Sequence, residues 1–219
     1  QEGIIKEIDS YQKIVSLASE MTQVKGINIT IDPSWQRIPL NDLSTIRYGY
    51  TTTARDNGDA RFIRITDINE YGELNPNNQK FITLDDESRQ YLLKNKDVLI
   101  ARTGATFGKT MIFKEEYPAV FASYLIRLQF DESKILPEYY WCFAQTNDYW
   151  DQANSLVTGG GQPQFNGNVL KNIKVPLPTI EKQKEISNEF LSIRNQLVNQ
   201  NLELIMIFKK KIQRVIDNM

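Results

Sequence analysis

The C-terminal part of the chain has a helical pattern of apolar positions. From residue 186 to residue 215, apolar side chains recur at spacings of three and four, and neither Pro nor Gly follows Pro178. Such spacing places these side chains on one face of a helix. Pro176 and Pro178 bar a helix before this point, whereas Thr179 can cap one by accepting a backbone N–H. We therefore predict a helix over residues 179–219, about 60 Å long at 1.5 Å per residue.

A helix of this length with one narrow apolar stripe is expected to pair lengthwise with another helix. Residues 1–25 are the candidate, because their apolar positions have the same spacing. At an offset of 182 residues the two segments match at five positions, four of them identical, although two amphipathic helices can share residues by chance. If the repeat is genuine, the chain opens inside a repeat unit and is a piece of a longer protein. We predict that the helices pack through Ile8, Tyr11, Val15, Ile186, Phe190, Ile193, Leu197 and Leu204.

Between the helices, residues 26–178 have the pattern of a globular domain. Residues 61–68 alternate imperfectly between polar and apolar, and residues 97–102 predict a buried strand. Strand character resumes at residues 110–113, which predicts a hairpin, and again at residues 121–130. A ring-rich segment from Pro137 predicts a helix packed in the core. We predict an α+β fold with a mixed, mostly antiparallel sheet, flanked by a helical arm (1–25) and a C-terminal helix (179–219) that pack together.

Composition narrows the chemistry that the chain can perform. Hydrophobic residues make up 41% of the 219 positions, which is enough for one sizeable core. The sequence contains no His and a single cysteine, Cys142, which excludes histidine bases, ordinary zinc sites and internal disulfides. It lacks an apolar run of 18 residues and an N-terminal export signal. We expect a cytoplasmic protein with no membrane segment, no metal and no cofactor.

Three candidate catalytic motifs fail on spacing. Residues 104–110 resemble a phosphate-binding loop, but three residues instead of four separate the glycines, and a strand-like segment follows. Asn75 and Asp32 each precede one proline, whereas methyl transfer to a base amine calls for two prolines and an aromatic residue. The acid-x-Lys fragment that ends at Lys134 lacks a partner acid on a neighbouring strand. A turn or a hairpin tip explains each of them better.

Charge and loop composition give the positive signal. The net charge of −1 argues against a strongly electrostatic nucleic-acid binder, yet residues 88–114 contain six basic residues and one acidic residue. Residues 51–55, 102–109 and 162–166 are dense in Thr, Arg, Gln, Asn and Gly. Arg and Lys can read guanine edges, Asn and Gln adenine, and Thr thymine. Ordinary surface loops can have the same composition, so that alternative stays open.

The order of these segments resembles the specificity subunits of Type I restriction–modification enzymes and the related specificity segments fused to adenine methyltransferases. The resemblance begins at Trp35, Leu40 and Leu43 and ends at residues 175–178 with Glu181 and Gln183. The landmarks between them are residues 62–68, residues 97–100, Gly104, Gly108, Lys109 and residues 160–164. In that family each target-recognition domain reads one half of a split DNA sequence. Long helices separate two such domains and dock the methyltransferase subunits.

The resemblance implies sequence-specific recognition of double-stranded DNA by a chain without catalytic activity of its own. Its expected partners are adenine-specific DNA methyltransferase subunits, with a restriction or translocation subunit as a further candidate. Because the chain holds one recognition domain, it is expected to be the C-terminal half of a full subunit, a half-length form that dimerises, or part of a methyltransferase fusion. A helical protein-assembly module without DNA contact is the alternative. The expected DNA contacts are Thr51, Thr52, Thr53, Arg55, Arg64, Arg102, Thr103, Thr106, Lys109, Gln162, Gln164 and Asn166.

Overall fold

The structure is a computed structural model that describes residues 2–21, 29–69, 72–103, 107–156 and 165–217. Of residues 2–4 and 17–21 it describes the backbone only. The chain divides into two compact units, and each is described by itself below. Gln1–Ile27 and Asn188–Met219 form the helical unit, and Asn28–Ser187 forms the globular unit. The boundaries predicted from the sequence, with a globular domain at 26–178, stay a prediction.

The described part of the globular unit contains three β-sheets. The first pairs β1 (Gln36–Pro39) with β9 (Lys174–Leu177) in antiparallel fashion. The second is fully antiparallel, in the order β2 (Ser44–Tyr48), β8 (Leu125–Phe130), β5 (Val98–Ala101) and β6 (Thr110–Ile112). The third is mixed, in the order β4 (Phe81–Ile82), β3 (Ala60–Ile63) and β7 (Ala119–Phe121), with β3 and β7 parallel.

Three short helices contribute to the largest core cluster of the globular unit. They are α2 (Pro137–Phe143), α3 (Asn147–Leu156) and α4 (Gly167–Lys171). Pro137 occupies the first turn of α2, where its missing N–H leaves no helical bond unmade. The aromatic side chains of α2 and α3 are largely buried, as the ring-rich pattern predicted, and Tyr139, Tyr140, Phe143 and Tyr149 belong to the largest core cluster.

The strand β5 lies at the centre of the core. Its four side chains are fully buried, which confirms the strand predicted from the continuous apolar run. Side chains alternate between the two faces of a sheet. Accordingly, Val98 and Ile100 join the cluster under α2 and α3, whereas Leu99 and Ala101 join a second cluster that contains Phe121. The predicted β5–β6 hairpin also forms.

Two predicted strands are shorter than their sequence patterns indicated. The strand expected over residues 61–68 ends at Ile63, because the Asp67 carboxylate accepts the Arg64 N–H at 2.8 Å and bends the chain into a 3₁₀ turn, Ile65–Asp67. The strand expected over residues 121–130 is interrupted by a turn, in which the Leu125 N–H donates to the Ala122 carbonyl at 2.8 Å. It therefore forms two strands, β7 and β8, in different sheets.

The helical unit consists of α1 (Glu2–Met21) and most of α5 (Ile180–Asp217). Thr179 caps α5 as predicted, since its Oγ1 accepts the Lys182 N–H at 3.3 Å. The Tyr11 ring lies 5.5 Å from the Phe208 ring, and the Lys211 ammonium lies 4.9 Å from the Phe208 ring centre. The two helices therefore contact each other. The predicted α+β class with a long C-terminal helix is confirmed.

The buried side of α5 differs from the predicted apolar stripe. Phe190, Arg194 and Asn201 are buried, while Ile193, Leu197 and Leu204 are about two-fifths exposed, at 41%, 38% and 38%. At about 100° per residue, the buried set is rotated by roughly 60° from the exposed set. The prediction considered apolar residues only, so it included Phe190 but did not place Arg194 and Asn201 on the buried side of the helix. On α1, the expected contacts Ile8, Tyr11 and Val15 are half-buried.

Ile186 belongs to the globular unit instead of the helix pair. It packs in the core cluster beneath α2 and α3. The packing of Ile193, Leu197 and Leu204 against a partner helix stays a prediction.

Candidate nucleic-acid interface

Strand pairing brings Tyr48 and Arg102 to the same face of the four-stranded sheet. β2 and β5 both pair with β8, so Tyr48 and Ile100 each lie opposite Ile126. Arg102 follows Ile100 by two positions and therefore points to the same side. The Arg102 Cζ lies 5.0 Å from the centre of the Tyr48 ring, which places the cation over the aromatic face.

The backbone around Arg102 is held from two directions. Its N–H donates to the Tyr124 carbonyl at 3.0 Å, and its own carbonyl accepts the Phe165 N–H at 2.7 Å. The Arg102 side chain is half-buried, and its Nη1 donates to the Ser123 carbonyl at 3.4 Å. Its Nε is buried and has no acceptor in the part of the chain that the structure describes. The guanidinium position is thus defined by the ends of two strands and by the segment before α4.

Tyr48 is anchored in turn by the start of α4. Its hydroxyl accepts the Gly167 N–H at 2.7 Å. The Asn166 Oδ1 caps the same helix by accepting the Asn168 and Val169 N–H groups, both at 3.0 Å. A Cβ on Gly167 would lie 3.2 Å from the Tyr48 hydroxyl, so a glycine suits this close approach. Tyr48 nevertheless keeps 42% of its surface exposed.

The turn between β7 and β8 completes the site. Tyr124 at this turn is 57% exposed. The turn is held against the end of β2, because the Gly49 N–H donates to the Leu125 carbonyl at 3.1 Å and a Cβ on Gly49 would lie 2.1 Å from the Ala122 carbonyl oxygen. We call Tyr48, Arg102, Ser123 and Tyr124 the arginine–tyrosine cluster. It presents one cation and two phenol groups on a surface fixed by backbone hydrogen bonds.

Of the predicted DNA contacts, Arg102 and Asn166 lie at this cluster. Thr51, Thr52 and Thr53 follow in sequence after Tyr48 and are not part of the cluster. These threonines are exposed and follow Tyr50, whose N–H donates to the Phe121 carbonyl at 2.8 Å. Thr103 and Lys109 are half-buried, and the Lys109 carbonyl accepts the Ala101 N–H at 2.9 Å. The predicted contacts that lie outside the described residues are Thr106, Gln162 and Gln164.

Arg55 and Arg64 lie beside the three-stranded sheet, outside its strands. The Arg55 backbone pairs with Phe81, with N–H to carbonyl distances of 2.9 and 2.8 Å. Arg64 donates to both carboxylate oxygens of the buried Asp67, at 2.9 and 2.8 Å, and to the Asn78 carbonyl at 3.0 Å. Its hydrogen bond to Asp67 raises the pKa of Arg64, with desolvation opposing the shift. These bonds give Arg64 a role in holding the fold, so its contact with DNA stays a prediction that the ion pair disfavours.

Sequence reasoning missed Tyr48, Ser123 and Tyr124. The available signal was the small and polar break at residues 122–124 within an otherwise apolar run, which marks a turn. Tyr48 stood next to the threonine-rich segment, but its aromatic ring gave no reason to place it beside Arg102. The contact follows from strand register, which the sequence pattern did not specify.

No cluster of three or more Asp, Glu or Cys side chains in the described ranges could hold a metal ion. None of the helices described is both long enough and apolar enough to cross a membrane.

The globular unit is an α+β domain that runs into a long helix and holds a guanidinium against an aromatic ring. The chain belongs to the Type I restriction modification DNA specificity domain family, whose family model matches residues 33–206. The resemblance seen in the sequence is therefore confirmed.

Relatives in sequence and in structure agree with this assignment. The chain is 29% identical over 133 residues to the Type I restriction enzyme MjaVIII specificity subunit of Methanocaldococcus jannaschii, covering 58% of this chain and 31% of that protein. It is 26% identical over 177 residues to the EcoBI specificity subunit of Escherichia coli, covering 77% and 36%.

Solved structures share the fold at lower identity. A chain of a type I R-M system, studied for complex assembly and conformational transition, matches with a TM-score of 0.68 at 16% identity, over 99% of this chain and 56% of its own length. The HsdS subunit from Thermoanaerobacter tengcongensis matches with a TM-score of 0.55 at 18% identity, over 99% and 53%. The chain thus spans about a third of the curated relatives and just over half of the solved chains.

Proposed function

We propose that this chain recognises one half of a split double-stranded DNA sequence as a non-catalytic specificity component of a Type I restriction–modification system. The observation that carries the proposal, beside the family, is the arginine–tyrosine cluster, in which Arg102 is oriented by Tyr48 and Ser123 at the protein surface. An oriented guanidinium suits the reading of a base edge, because specificity requires donors at fixed positions in a groove. Thr51, Thr52 and Thr53 are exposed a few residues after Tyr48 and are proposed as further DNA contacts.

The helical unit is proposed to bind adenine-specific DNA methyltransferase subunits. Ile193, Leu197 and Leu204 form an exposed apolar stripe on α5, at spacings of four and seven residues. Such a stripe is typical of a helix that docks against another helix. A partner that contributes phosphate contacts would also offset the weak electrostatic attraction expected from a net charge of −1.

The proposal is tested by selecting bound sequences from a pool of random duplex DNA, first with the chain alone and then with its methyltransferase subunit. We expect one short motif to be enriched, and the enrichment to appear or sharpen with the partner. Arg102→Ala should weaken the sequence preference of the selected motif. The matched control is Arg37→Ala, which removes an arginine of β1 whose ion pair with Asp148 lies at the surface of the same unit.

Two results would contradict the proposal. One is the absence of any enriched motif, with and without the partner, while tryptophan fluorescence shows an intact fold. That result would support a helical assembly module that does not touch DNA. The other is equal motif preference in wild type and Arg102→Ala, which would show that the arginine–tyrosine cluster does not read bases.

A further inference from the structure

We propose that Tyr48 is a positioning residue that presents the Arg102 guanidinium to a guanine in the major groove. This inference rests on the proposed function, and it adds both the base that is read and the residue that sets the pose. Neither Tyr48 nor a particular base follows from the membership of the family alone.

Tyr48 restricts the Arg102 side chain because it is itself immobilised. Its backbone is paired with Ile126 in β2 and β8, and its hydroxyl accepts the Gly167 N–H at 2.7 Å. A tyrosine fixed at both ends offers a ring face of defined orientation. The Arg102 Cζ lies 5.0 Å from the centre of that ring, and the Ser123 carbonyl accepts from Nη1 at 3.4 Å. A flexible arginine would lose more rotamer freedom on meeting a base.

The remaining donors of Arg102 define the edge that it can present. Nε is buried without an acceptor among the described residues, which leaves the edge formed by Nη1 and Nη2. Each of these nitrogens carries two N–H groups, and the Ser123 carbonyl engages one on Nη1. Three of these four N–H groups therefore remain to face a ligand, and arginine has no acceptor to offer.

Donor chemistry then selects the base. In the major groove guanine presents two adjacent acceptors, N7 and O6, whereas adenine presents an acceptor beside a donor, cytosine a donor, and thymine one acceptor and a methyl group. Two parallel donors are satisfied fully by guanine alone. A phosphate could also accept both donors, but it would carry no sequence information. The two ligands are therefore distinguished by whether the effect of a variant depends on sequence.

The experiment measures base preference at each position of the selected motif, using the full chain with its methyltransferase subunit. Arg102→Ala should lower the preference for guanine at one position by about 5- to 150-fold and leave the other positions unchanged. Arg102→Lys keeps the positive charge but loses the planar guanidinium donors, so it should lower the same preference for guanine. Replacing that guanine by 7-deazaguanine, which lacks the N7 acceptor, should reduce binding of wild type and have little effect on Arg102→Ala.

Variants of Tyr48 test the positioning role. Tyr48→Leu removes the ring and should lower the same guanine preference by about 2- to 5-fold, the size of a surface cation–π contact. Tyr48→Phe keeps the ring but loses the hydroxyl that accepts the Gly167 N–H, so it should restore only part of the preference. Tyr48→Leu combined with Arg102→Ala should match Arg102→Ala alone, because the tyrosine acts through the arginine. Tyr117→Leu is the matched control, since Tyr117 is an exposed tyrosine that accepts from Arg61 at 2.7 Å elsewhere in the unit.

The outcomes separate this inference from the function on which it rests. If Arg102→Ala lowers the preference for guanine and Tyr48→Leu leaves that preference unchanged, the role of Tyr48 is overturned, whereas the proposed DNA function still stands. Uniform weakening on all sequences in Arg102→Ala, with a smaller salt dependence, would overturn guanine readout in favour of a phosphate contact. An unaltered motif in Arg102→Ala would overturn the inference and the DNA-reading role of the cluster together.

Discussion

Replacement of Asp97 by alanine is expected to destabilise the globular unit by about 3–5 kcal/mol. Asp97 is buried immediately before β5, and its carboxylate accepts three hydrogen bonds. Oδ2 accepts from the Lys94 N–H at 2.9 Å and from Arg127 Nη1 at 3.5 Å, and Oδ1 accepts from Gln129 Nε2 at 2.9 Å. The substitution would remove the acceptor of all three donors at once.

The main cost comes from Arg127, which is 6% exposed. Burial lowers the pKa of Arg127, while the Asp97 charge opposes that shift and the nearby Arg47 adds to it. Without Asp97 the guanidinium would be a buried charge without its counter-ion, which costs more than the loss of an ordinary hydrogen bond. The Leu92 carbonyl, which accepts from Arg127 at 3.1 Å, would still remain. For this reason we expect destabilisation without complete loss of the fold.

Urea unfolding followed by tryptophan fluorescence measures this effect, because all three tryptophans lie in the globular unit. The expected loss corresponds to a fall in melting temperature of about 6–20 °C for a unit of this size. The matched control is Glu132→Ala, which breaks an exposed ion pair with Lys96 and should cost at most about 1 kcal/mol. Equal effects of the two substitutions would refute the argument. Adding Arg127→Met to Asp97→Ala should recover part of the loss.

Three further predictions concern other parts of the globular unit. Gly49→Ala would place a Cβ 2.1 Å from the Ala122 carbonyl oxygen, so we expect a loss of about 1–3 kcal/mol in urea unfolding and a weaker motif in the DNA selection. Gln183→Ala would leave the Leu136 N–H and two carbonyls unpaired and should cost about 2–4 kcal/mol, whereas an effect below about 1 kcal/mol would show that water replaces the amide. Finally, burial raises the pKa of the Tyr139, Tyr140 and Tyr149 phenols in the folded protein. Above about pH 10 these phenols ionise only in the unfolded state, so the free energy of unfolding should fall by up to about 4 kcal/mol per pH unit, and it should be unaffected below that pH. Urea unfolding between about pH 9 and 11 checks this, and ionisation of the three phenols near their ordinary pKa in the folded protein would contradict it.

The hydrophobic pattern of the sequence predicted β5 and α5. The run at residues 98–101 predicted β5 because both faces of that strand are buried, and the spacing after Thr179 predicted α5 because no Pro or Gly interrupts it. The pattern failed where single polar side chains decide the structure. Asp67 ends β3 by accepting the Arg64 N–H, and Arg194 and Asn201 occupy the buried side of α5. An apolar pattern gives no weight to such residues.

The candidate site was predictable only in part, for a related reason. Arg102 could be proposed because it ends a strongly predicted strand and opens a polar loop. Tyr48 approaches it from β2 and Tyr124 from the turn between β7 and β8, and the position of Tyr48 depends on the register of β2 and β5 against β8. Register follows from backbone pairing and from close approaches such as that of Gly49 to Ala122, which a single sequence does not display.

The backbone hydrogen bonds that hold residue 102 in place do not depend on its side chain. The bonds of residue 102 to the Tyr124 carbonyl and from the Phe165 N–H involve backbone atoms, which any residue except proline supplies at that position. The backbone arrangement therefore survives a change of side chain, whereas the donors and acceptors presented at this position depend on the side chain itself. Under the proposed function, strand register would set where a base is read, and the identity of residue 102, together with the ring that orients it, would set which base is read.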